Sequence, residues 1–187
     1  MNPATSDGNG ERAVQGGQSS KHDGAPIVLR RATGEDSRFL LELRNDPDVV
    51  ATTSTQRVVA PEEHCAWFES AVSRPDVLIL IVEHPEAEGP VGYVRFQNGG
   101  SGMAEISIAL VSGWRGRSLG TSVISLGCLC AMNEWSDLEQ VLAFVRSDNM
   151  ASVRAFDRAG FALDQDPGMS REGHVVLSYS RPRPGDQ

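Results

Sequence analysis

The sequence predicts an α+β domain with a mixed sheet, and three observations lead to this fold class. Apolar residues alternate with smaller ones over residues 104–110, which is typical of a half-buried strand. A turn rich in glycine and arginine follows, and then a long apolar segment to about residue 134 that is typical of a helix. Two more strand patterns, at residues 77–83 and 91–97, flank a short turn with proline and glycine and are expected to pair antiparallel.

The chain before these strands is predicted to begin with a strand and a helix. Residues 27–30 form the first strand, and apolar residues recur at helical spacing over residues 35–43. Asn-Asp-Pro at residues 45–47 is a sequence that ends helices and begins turns. The polar run at residues 51–56 is therefore expected to be a loop.

A second helix is predicted to begin at Pro61, because proline is favoured at the first helical position. On this helix Cys65, Phe68 and Val72 are expected to form the stripe that faces the core. The same periodicities, with a glycine after the last helix as its expected C-terminal cap, predict the remaining elements. These are helices at residues 118–134 and 151–159 and strands at 141–145, 161–163 and 174–180.

Composition limits the organisation of the chain. A length of 187 residues with 40% apolar residues suits one domain with a sizeable core, expected at residues 27–180. Residues 1–26 are rich in Gly, Ser, Asn, Gln and Asp, so they are expected to be a disordered N-terminal tail. Residues 181–187 are expected to be a frayed C-terminus. The net charge of −8 argues against a general nucleic-acid binder.

Cysteine, histidine and hydropathy patterns exclude further classes. The three cysteines lie in apolar helical patterns without a spaced framework, which favours reduced thiols and a cytoplasmic protein. The four histidines are scattered, so no metal site is expected. No apolar run is long enough to span a membrane, and the N-terminus lacks the basic-then-apolar layout of a signal peptide.

The turn from Arg115 to Gly120 is the first candidate binding site. Its glycines allow the backbone to come close to a ligand, and successive N–H groups at a helix start point at one spot. Arg115 and Arg117 add local positive charge to an acidic chain. This combination predicts a site for phosphate groups.

A second stretch strengthens that interpretation. After the strand at residues 141–145 come Asn149 and Ser152, and the helix that follows ends in Gly160–Phe161. Together the two stretches resemble the GNAT superfamily of N-acetyltransferases. That family pairs an R/Q-x-x-G-x-G/A pyrophosphate loop with a later N-x-x-S helix ending in Gly-Phe. The resemblance covers nearly all of residues 27–180, and it implies the GNAT fold, with a mixed, mostly antiparallel central sheet of six to seven strands and about four helices.

The resemblance also implies a reaction and a set of binding residues. Acetyl-CoA would be the acetyl donor and a primary amine the acceptor, with no metal. Backbone groups in the central strand would bind the pantetheine arm, with one N–H polarising the thioester carbonyl, and the turn would hold the pyrophosphate. The implied cofactor-binding residues are Ile108, Leu110, Val111, Arg115, Gly116, Arg117, Ser118, Leu119, Gly120, Asn149, Ser152 and Phe156.

Two positions depart from the family pattern. Ser118 stands where the family has its middle glycine, and serine is costly there if the backbone needs a positive φ. Phe156 stands where many members carry a tyrosine that is the usual candidate for general acid. Either a different group donates the proton, or the thiolate leaves without specific assistance.

Glu105 is the best candidate for the general base. A carboxylate at the start of an apolar strand faces either a cleft or solvent, and similar enzymes use a glutamate near this position through a water. The alternative is an exposed charge at the end of a strand. Asn149 and Ser152 have a structural alternative too, because both are ordinary capping residues.

A third stretch points to the acceptor. Arg44-Asn45-Asp46-Pro47, followed by Glu-Glu-His64-x-x-Trp67-Phe, resembles acetyltransferases that modify amino sugars on nucleoside diphosphates, such as the enzyme of the pseudaminic acid pathway. It also falls within the broader RimJ/RimL-like group of ribosomal-protein N-terminal acetyltransferases. Arg44, Asn45, His64 and Trp67 are the expected acceptor residues, with Trp67 stacking on a ring and His64 bonding a hydroxyl or serving as an alternative base. The alternative is that Trp67 is core and His64 its exposed neighbour.

Three functions therefore compete. The first is an N-acetyltransferase for an amino sugar or nucleotide-linked amino sugar. The second is a ribosomal-type protein N-terminal acetyltransferase, and the third is an inactive module that binds acyl-CoA. We favour the first, with a small-molecule amine acceptor as partner, no nucleic acid or membrane, and a monomer or homodimer in solution.

Overall fold

The computed structural model describes residues 27–53, 55–164, 166–169 and 171–182. Their strands are β1 (Val28–Arg31), β2 (Val77–Glu83), β3 (Gly92–Gly100), β4 (Met103–Leu110), β5 (Gln140–Arg146), β6 (Ala162–Leu163) and β7 (His174–Ser180). They form one seven-stranded sheet in the order β1-β2-β3-β4-β5-β7-β6. The β4–β5 pair is parallel, and the other pairs are antiparallel. The predicted α+β class with a mixed, mostly antiparallel sheet is confirmed.

The helices of the described residues are α1 (Ser37–Arg44), α2 (Pro47–Thr52), α3 (Pro61–Ser73), α4 (Leu119–Glu134) and α5 (Met150–Arg158). Four of them were predicted, but α2 was not. The Asp46 side chain caps α2 by accepting the N–H groups of Asp48 and Val49 at 3.0 and 3.3 Å, and Pro47 fills the first helical position. The turn signal at Asn-Asp-Pro is therefore also a helix start, and the loop prediction is wrong for residues 51 and 52.

Helices cover both faces of the sheet, which explains the unbroken apolar run of β2. Successive residues of β2 point to opposite faces of the sheet. Leu78, Leu80 and Val82 pack with α4 in the larger core, whereas Val77, Ile79 and Ile81 pack with α1 and α3 in a smaller one. In the larger core α4 lies so close to the sheet that a Cβ on Gly127 would be 3.2 Å from the Phe96 ring.

The buried face of α3 differs from the predicted stripe. His64, Phe68 and Ala71 are buried, whereas Cys65 is exposed and Val72 is 42% exposed. Phe68 was assigned correctly, but its buried neighbours lie at i−4 and i+3 rather than at i−3 and i+4. The polar anchor of this face is a 2.8 Å hydrogen bond between His64 Nε2 and the carbonyl of Ser37 at the start of α1.

The ends of the fold lie near the limits of the described residues. The predicted disordered tail at residues 1–26 lies outside them, as do residues 183–187 of the predicted frayed end. Arg181 is held in the fold, because its N–H donates to Glu139 O and its guanidinium to the carbonyls of Leu138 and Met132, each at 2.8 Å. Within the part of the chain that the structure describes, no helix combines the length and apolar character needed to cross a bilayer.

Candidate active site

A gap opens where β4 and β5 separate. The parallel pairing runs only from Met103 opposite Gln140 to Glu105 opposite Leu142. Beyond that point β4 stays paired with β3, and β5 stays paired with β7 as far as Arg146. The two strands therefore diverge, and a cavity of about 460 Å³ occupies the space between and beside them.

Backbone groups of β4 point into this gap. The N–H of Val111 donates to Val91 O at 2.9 Å, so the neighbouring pair Gly92–Leu110 is a non-hydrogen-bonded pair of the antiparallel ladder. The pair Val94–Ile108, two residues along, is of the same kind. The main-chain groups of Ile108 and Leu110 consequently face away from β3, where β5 no longer pairs with them. Two of the three predicted pantetheine-binding residues thus have groups directed at the gap, whereas the N–H of Val111 is already used.

The turn between β4 and α4 has the backbone conformation that its glycines suggest. Gly116 and Ser118 have φ values of 76° and 61°. Within the described residues, the N–H groups of residues 116–120 have no hydrogen-bond acceptor outside α4, which begins at Leu119. Successive N–H groups at the start of a helix form a site suited to anions. The position of the family's middle glycine does require a positive φ in this chain, and Ser118 adopts it.

The two arginines of the turn have different surroundings. Arg115 donates to the carbonyl of Leu110 at 2.8 Å and to the carboxylates of Asp48 and Asp46 at 2.7 and 3.2 Å. Burial opposes the shift, but the hydrogen bond from Arg115 helps to hold the pKa of Asp46 below its ordinary value. Arg115 therefore joins the turn to α2, and its predicted part in cofactor binding stays a prediction.

Arg117 keeps its charge available. Its guanidinium lies 4.7 Å from the centroid of the Trp114 ring. No carboxylate in the described ranges lies within ion-pair distance of Arg117. It is the arginine of this turn that fits a phosphate contact.

Glu105 lies at the point of divergence and lines the cavity. Its Oε2 accepts a hydrogen bond from Arg171 at 3.1 Å, and its side chain is 37% exposed. Arg171 in turn lies 3.5 Å from the centroid of the Phe144 ring. Glu105 Oε1 has no partner among the residues described, so one carboxylate oxygen is free to accept a proton or a water. The base assignment stays a prediction.

The second predicted stretch also reaches the cavity. Asn149 Oδ1 accepts the N–H of Ser152 at 3.1 Å and so caps α5, which is the structural role considered for both residues. Both line the cavity, and the amide nitrogen of Asn149 remains available. Phe156 forms part of the cavity wall, is 2% exposed and packs edge-on against Phe161 at 4.9 Å.

Tyr93 is a cavity residue that the sequence did not single out for the site. It lies on β3 opposite Ala109, whereas the chain's other tyrosine, Tyr179, packs against Phe161. Burial raises the pKa of the Tyr93 phenol, and the charges of Arg95 and Arg44 act in the opposite direction. The signal that could have found it is the alternation of β3, which places Tyr93 and Arg95 on one face.

Three of the four predicted acceptor residues line the cavity: Arg44, His64 and Trp67. Asn45 does not. Its amide donates to Val59 O and accepts the Val59 N–H, both at 2.8 Å, so its polar atoms already hold the chain between α2 and α3. Asn45 is therefore a structural residue here, because a clamped amide has little left for a ligand.

The alternative considered from the sequence was that Trp67 lies in the core and that His64 is its exposed neighbour. The structure shows the reverse. His64 is 3% exposed and stacks on Phe68, whereas Trp67 is 39% exposed. With Nε2 donating to Ser37 O, the lone pair of the His64 ring lies on Nδ1. Within the described ranges no fully buried side-chain nitrogen or oxygen lacks a hydrogen-bond partner, so Nδ1, which has no such partner there, is not fully buried, and His64 lines the cavity. The described residues contain no group of His, Cys, Asp or Glu arranged to hold a metal ion.

Sequence comparison identifies the family. A family model described as an acetyltransferase (GNAT) domain matches residues 27–162, more than half of the chain, and this protein therefore belongs to the GNAT family of acetyltransferases. No curated protein sequence matches the chain significantly.

Solved structures share the fold at low sequence identity. A domain from Methanocaldococcus jannaschii is 21% identical with a TM-score of 0.72, covering 84% of this chain and 99% of that one. AAC(6')-Ib in complex with ribostamycin and coenzyme A is 18% identical (TM-score 0.70; 83% and 93% covered). Spermidine N-acetyltransferase from Vibrio cholerae in complex with CoA and spermine is 16% identical (TM-score 0.67; 81% and 92% covered). These likenesses establish the fold.

Proposed function

We propose that this enzyme transfers an acetyl group from acetyl-CoA to the primary amine of an amino sugar or a nucleotide-linked amino sugar. The observation that carries the proposal is the gap between β4 and β5, which the backbone groups of Ile108 and the N–H of Leu110 face without a strand partner. We further propose a cytoplasmic location, because the three cysteines are free thiols.

The donor half of the proposal rests on the fit between the gap and an extended, anionic thioester. The N–H groups facing the gap can pair with the amides of a pantetheine arm and with a thioester oxygen as negative charge develops on it. The N–H groups of residues 116–120 and the guanidinium of Arg117 suit a pyrophosphate. A Cβ on Gly113 or Gly116 would meet nothing within 4 Å, so there is open space beside the turn. Several solved structures of this fold contain CoA or acetyl-CoA, which supports the same donor.

The chemical step requires the transfer of one proton from the amine. Glu105, directly or through a water, takes this proton as the nitrogen attacks the thioester carbon. The new C–N bond forms, the C–S bond breaks, and its electron pair stays on sulfur. Phe156 cannot return a proton to that sulfur. Tyr93 lines the same cavity with its phenol. Burial raises the pKa of this phenol further above its ordinary value, so the phenol is protonated at neutral pH.

The acceptor half rests on the wall formed by α1, α3 and β3. Trp67 offers a partly exposed aromatic face of the kind that stacks on sugar or base rings, and Arg44 and the Nδ1 of His64 offer one donor and one acceptor. A protein of the same fold bound to ribostamycin supports an amino-sugar acceptor. Another bound to spermine means that the fold alone does not select the acceptor.

The test incubates the enzyme with acetyl-CoA and four panels of acceptors. Acetyl transfer, which releases free CoA, is measured by the mass of the acetylated product. The panels are amino sugars, UDP- and dTDP-linked amino sugars, aminoglycosides, and peptides with ribosomal N-termini. A mass readout avoids the background that the exposed Cys65 would give with a thiol reagent. Acetylation of one sugar class is expected. Acetylation of peptides alone would replace our acceptor with the ribosomal one, and CoA binding by calorimetry without any acetylation would mean an inactive binding module.

Glu105→Gln tests the base, and Arg171→Gln is its matched control. If Glu105 takes the proton, Glu105→Gln lowers kcat by about 10²- to 10⁴-fold with little change in the KM for acetyl-CoA. Arg171→Gln breaks the same ion pair but leaves the carboxylate in place, so its kcat is expected to stay within about tenfold of the wild type. Equal losses in the two variants would mean that the ion pair is structural and that Glu105 is not the base.

A further inference from the structure

The charge of the cavity is opposite to that of the protein. The chain carries a net charge of −8, yet the charged side chains of lysine, arginine, aspartate and glutamate that line the cavity are four arginines and two glutamates. These are Arg44, Arg95, Arg146, Arg171, Glu63 and Glu105. Arginine side chains are thus concentrated around a cavity in which a ligand is expected.

Two of these arginines are already neutralised. Arg171 pairs with Glu105 at 3.1 Å, and Arg146 pairs with Asp148 at 2.6 Å. Glu63 is also occupied, because Arg57, which does not line the cavity, holds it through two hydrogen bonds. Once these pairs are set aside, Arg44 and Arg95 are the lining arginines that form no ion pair, although Glu63, which Arg57 binds, also interacts with the charge of Arg44.

Arg44 and Arg95 have only weak contacts with protein atoms. Arg44 lies 3.4 Å from both the carbonyl of Arg57 and Oγ1 of Thr55, and Arg95 lies 5.8 Å from the centroid of the Trp67 ring. In the part of the chain that the structure describes, neither guanidinium has a carboxylate within 4.0 Å. Both residues are only partly exposed.

Arg44 and Arg95 line the same cavity. Arg44 comes from the end of α1, and Arg95 comes from β3, two residues from Tyr93 and on the same face of the sheet. Both residues line the cavity together with Tyr93, and both charges oppose the rise in the pKa of its phenol. Trp67, on α3, completes this wall beside Arg95.

Two like charges that are partly buried without a carboxylate at ion-pair distance repel each other and lose hydration. An anion between them would remove both costs, and guanidinium groups bind phosphate and carboxylate oxygens through paired hydrogen bonds. We propose that Arg44 and Arg95 bind an anionic group, phosphate or carboxylate, on the acceptor, and that the enzyme therefore acetylates anionic amines, such as phosphorylated or nucleotide-linked amino sugars. The inference rests on the proposed acetyl transfer and narrows its acceptor.

Polycationic amines are expected to be poor acceptors for the same reason. The solved structures of the same fold hold ribostamycin and spermine, which are cationic at neutral pH. Entry of such a molecule into this cavity would add charge to a wall that already carries two guanidinium groups that form no ion pair. The fold is shared, but the charge of the acceptor wall in this chain favours the opposite class of amine.

The experiment compares pairs of acceptors of which one member carries an anionic group; the UDP-linked member of the third pair also carries a nucleoside. Glucosamine is compared with glucosamine 6-phosphate, an amino acid with its methyl ester, and a UDP-linked amino sugar with the free amino sugar. We expect kcat/KM to be at least about tenfold higher for the anionic member of one or more pairs. The phosphate pairs and the carboxylate pair separate the two sources of negative charge. Equal kcat/KM values in all pairs, or a preference for spermidine or kanamycin, would overturn the proposal.

Variants assign the effect to the two arginines. Arg44→Gln and Arg95→Gln are expected to raise the KM of the anionic acceptor at least about tenfold and to leave the KM of acetyl-CoA unchanged. Arg38→Gln is the matched control, because it removes the same charge from α1 at a site that is 88% exposed and paired with Glu42. The ratio of kcat/KM for the anionic acceptor to kcat/KM for the neutral acceptor should be unchanged in Arg38→Gln. In Arg44→Gln and Arg95→Gln this ratio should fall towards one. An equal loss with neutral and anionic acceptors would mean that the arginines support the fold rather than bind an anion.

A binding measurement separates this inference from the proposed function. Calorimetry with CoA tests the donor site alone. Inorganic pyrophosphate is then titrated into protein saturated with CoA, and we expect saturable binding that is lost in Arg44→Gln and Arg95→Gln and kept in Arg38→Gln. Absence of CoA binding together with absence of acetylation would overturn the proposed function. CoA binding with acetylation of neutral amines only, and no pyrophosphate binding, would overturn the anion site and leave the acetyl transfer standing.

Discussion

Ser118 carries a backbone conformation that suits glycine better than serine. Its φ of 61° and ψ of 5° lie in the left-handed region, and its side chain makes no capping hydrogen bond at the start of α4. A residue with a Cβ pays about 1–2 kcal/mol for this conformation. The N–H group is the same in serine and glycine, so the expected effect of Ser118 is on stability rather than on the pyrophosphate site.

Ser118→Gly is therefore expected to raise the free energy of unfolding by about 0.5–1 kcal/mol, the relief of strain exceeding the gain in entropy of the unfolded chain. Urea unfolding measures this change, and calorimetry should find the dissociation constant of CoA unchanged or lower. Gly113→Ala is the control, because that glycine has no positive φ and a Cβ there meets nothing within 4 Å. A less stable Ser118→Gly variant would show that the serine hydroxyl has a stabilising contact that outweighs the strain.

The limits of sequence reasoning at this scale lie in partners that are distant along the chain. The turn, Glu105 and Asn149 follow from local patterns, and the structure places Glu105 and Asn149 at the cavity and the turn beyond the end of β4. Those patterns do not show which atoms of these residues are already bound by other side chains. Arg115 is bound by Asp48, 67 residues away, and Glu105 by Arg171, 66 residues away. No local period reports such pairs.

Among the elements, β3 determines how closely β4 can pair before the gap opens. Gly92 faces Leu110 at the end of β4. A Cβ at residue 92 would lie 2.6 Å from the carbonyl oxygen of Ala109 and 2.5 Å from Cδ2 of Leu110. The carbonyl oxygen of Ala109 cannot move aside without shifting β4. The neighbouring main-chain groups of β4 face the cavity.

Gly92→Ala is expected to lower the free energy of unfolding by about 2 kcal/mol, in the range for overpacked sites. It is also expected to weaken CoA binding, because the clash displaces the strand that faces the gap. Gly99→Ala is the matched control on the same strand, since its Cβ would meet its nearest atom at 3.7 Å. Chemical unfolding and CoA calorimetry of both variants test this. If the two variants lose the same stability, the cause is a general property of glycine in β3 and not the contact with β4.

The orientation of α3 shows what periodicity cannot decide about an element. The pattern identified the helix and its central core residue, Phe68, but two apolar stripes pass through that residue. The sequence-based choice took Cys65 and Val72, whereas the fold buries His64 and Ala71. A histidine counts as polar until its partner is known, and that partner is a carbonyl of another helix. Helix α2 was missed because aspartate is favoured both in turns and as a helix cap. The side chain of Asp46 is the cap of α2.

At the scale of the whole molecule, Asp36 makes stability depend on pH. Its carboxylate accepts both terminal nitrogens of Arg30 at 2.8 Å and is 5% exposed, which joins β1 to the start of α1. The hydrogen bond from Arg30 lowers the pKa of Asp36 below its ordinary 3.8; burial opposes the shift, and the Thr33 N–H adds to it. Because the folded-state pKa is lowered, the stabilisation is complete above about pH 4 to 5 and is lost as the pH falls through the folded-state pKa.

Asp36→Asn is therefore expected to cost about 2–3 kcal/mol at pH 7, because it leaves Arg30 without its main charge partner. The difference from the wild type should shrink as the pH is lowered below 4, where the wild-type carboxylate also takes up a proton. Urea unfolding at a series of pH values measures both effects. Glu42→Gln, which removes an exposed partner of Arg38, is expected to change stability by less than about 0.5 kcal/mol at any pH. A cost for Asp36→Asn that does not vary with pH would contradict the assignment.

The cysteines report whether the described domain opens locally or as a unit. Cys65 is exposed on α3, whereas Cys128 on α4 is 2% exposed in the main core. Burial, with a smaller effect of Cys130, raises the pKa of the Cys128 thiol to about 12. The thiolate is the reactive form, so Cys128 is unreactive at neutral pH unless α4 leaves the sheet.

Thiol labelling of the native protein is expected to modify Cys65 within the mixing time of the reagent, and Cys128 only at the rate of an opening that exposes the core. Addition of CoA should slow the labelling of Cys128, because α4 begins at the turn proposed to bind its pyrophosphate and a ligand of the native state reduces opening. Cys65 labelling should not respond to CoA. Mass spectrometry of peptides resolves the sites, and Cys65→Ser confirms the fast phase. Fast modification of Cys128 with an unchanged circular dichroism spectrum would mean that α4 opens independently of the sheet it covers.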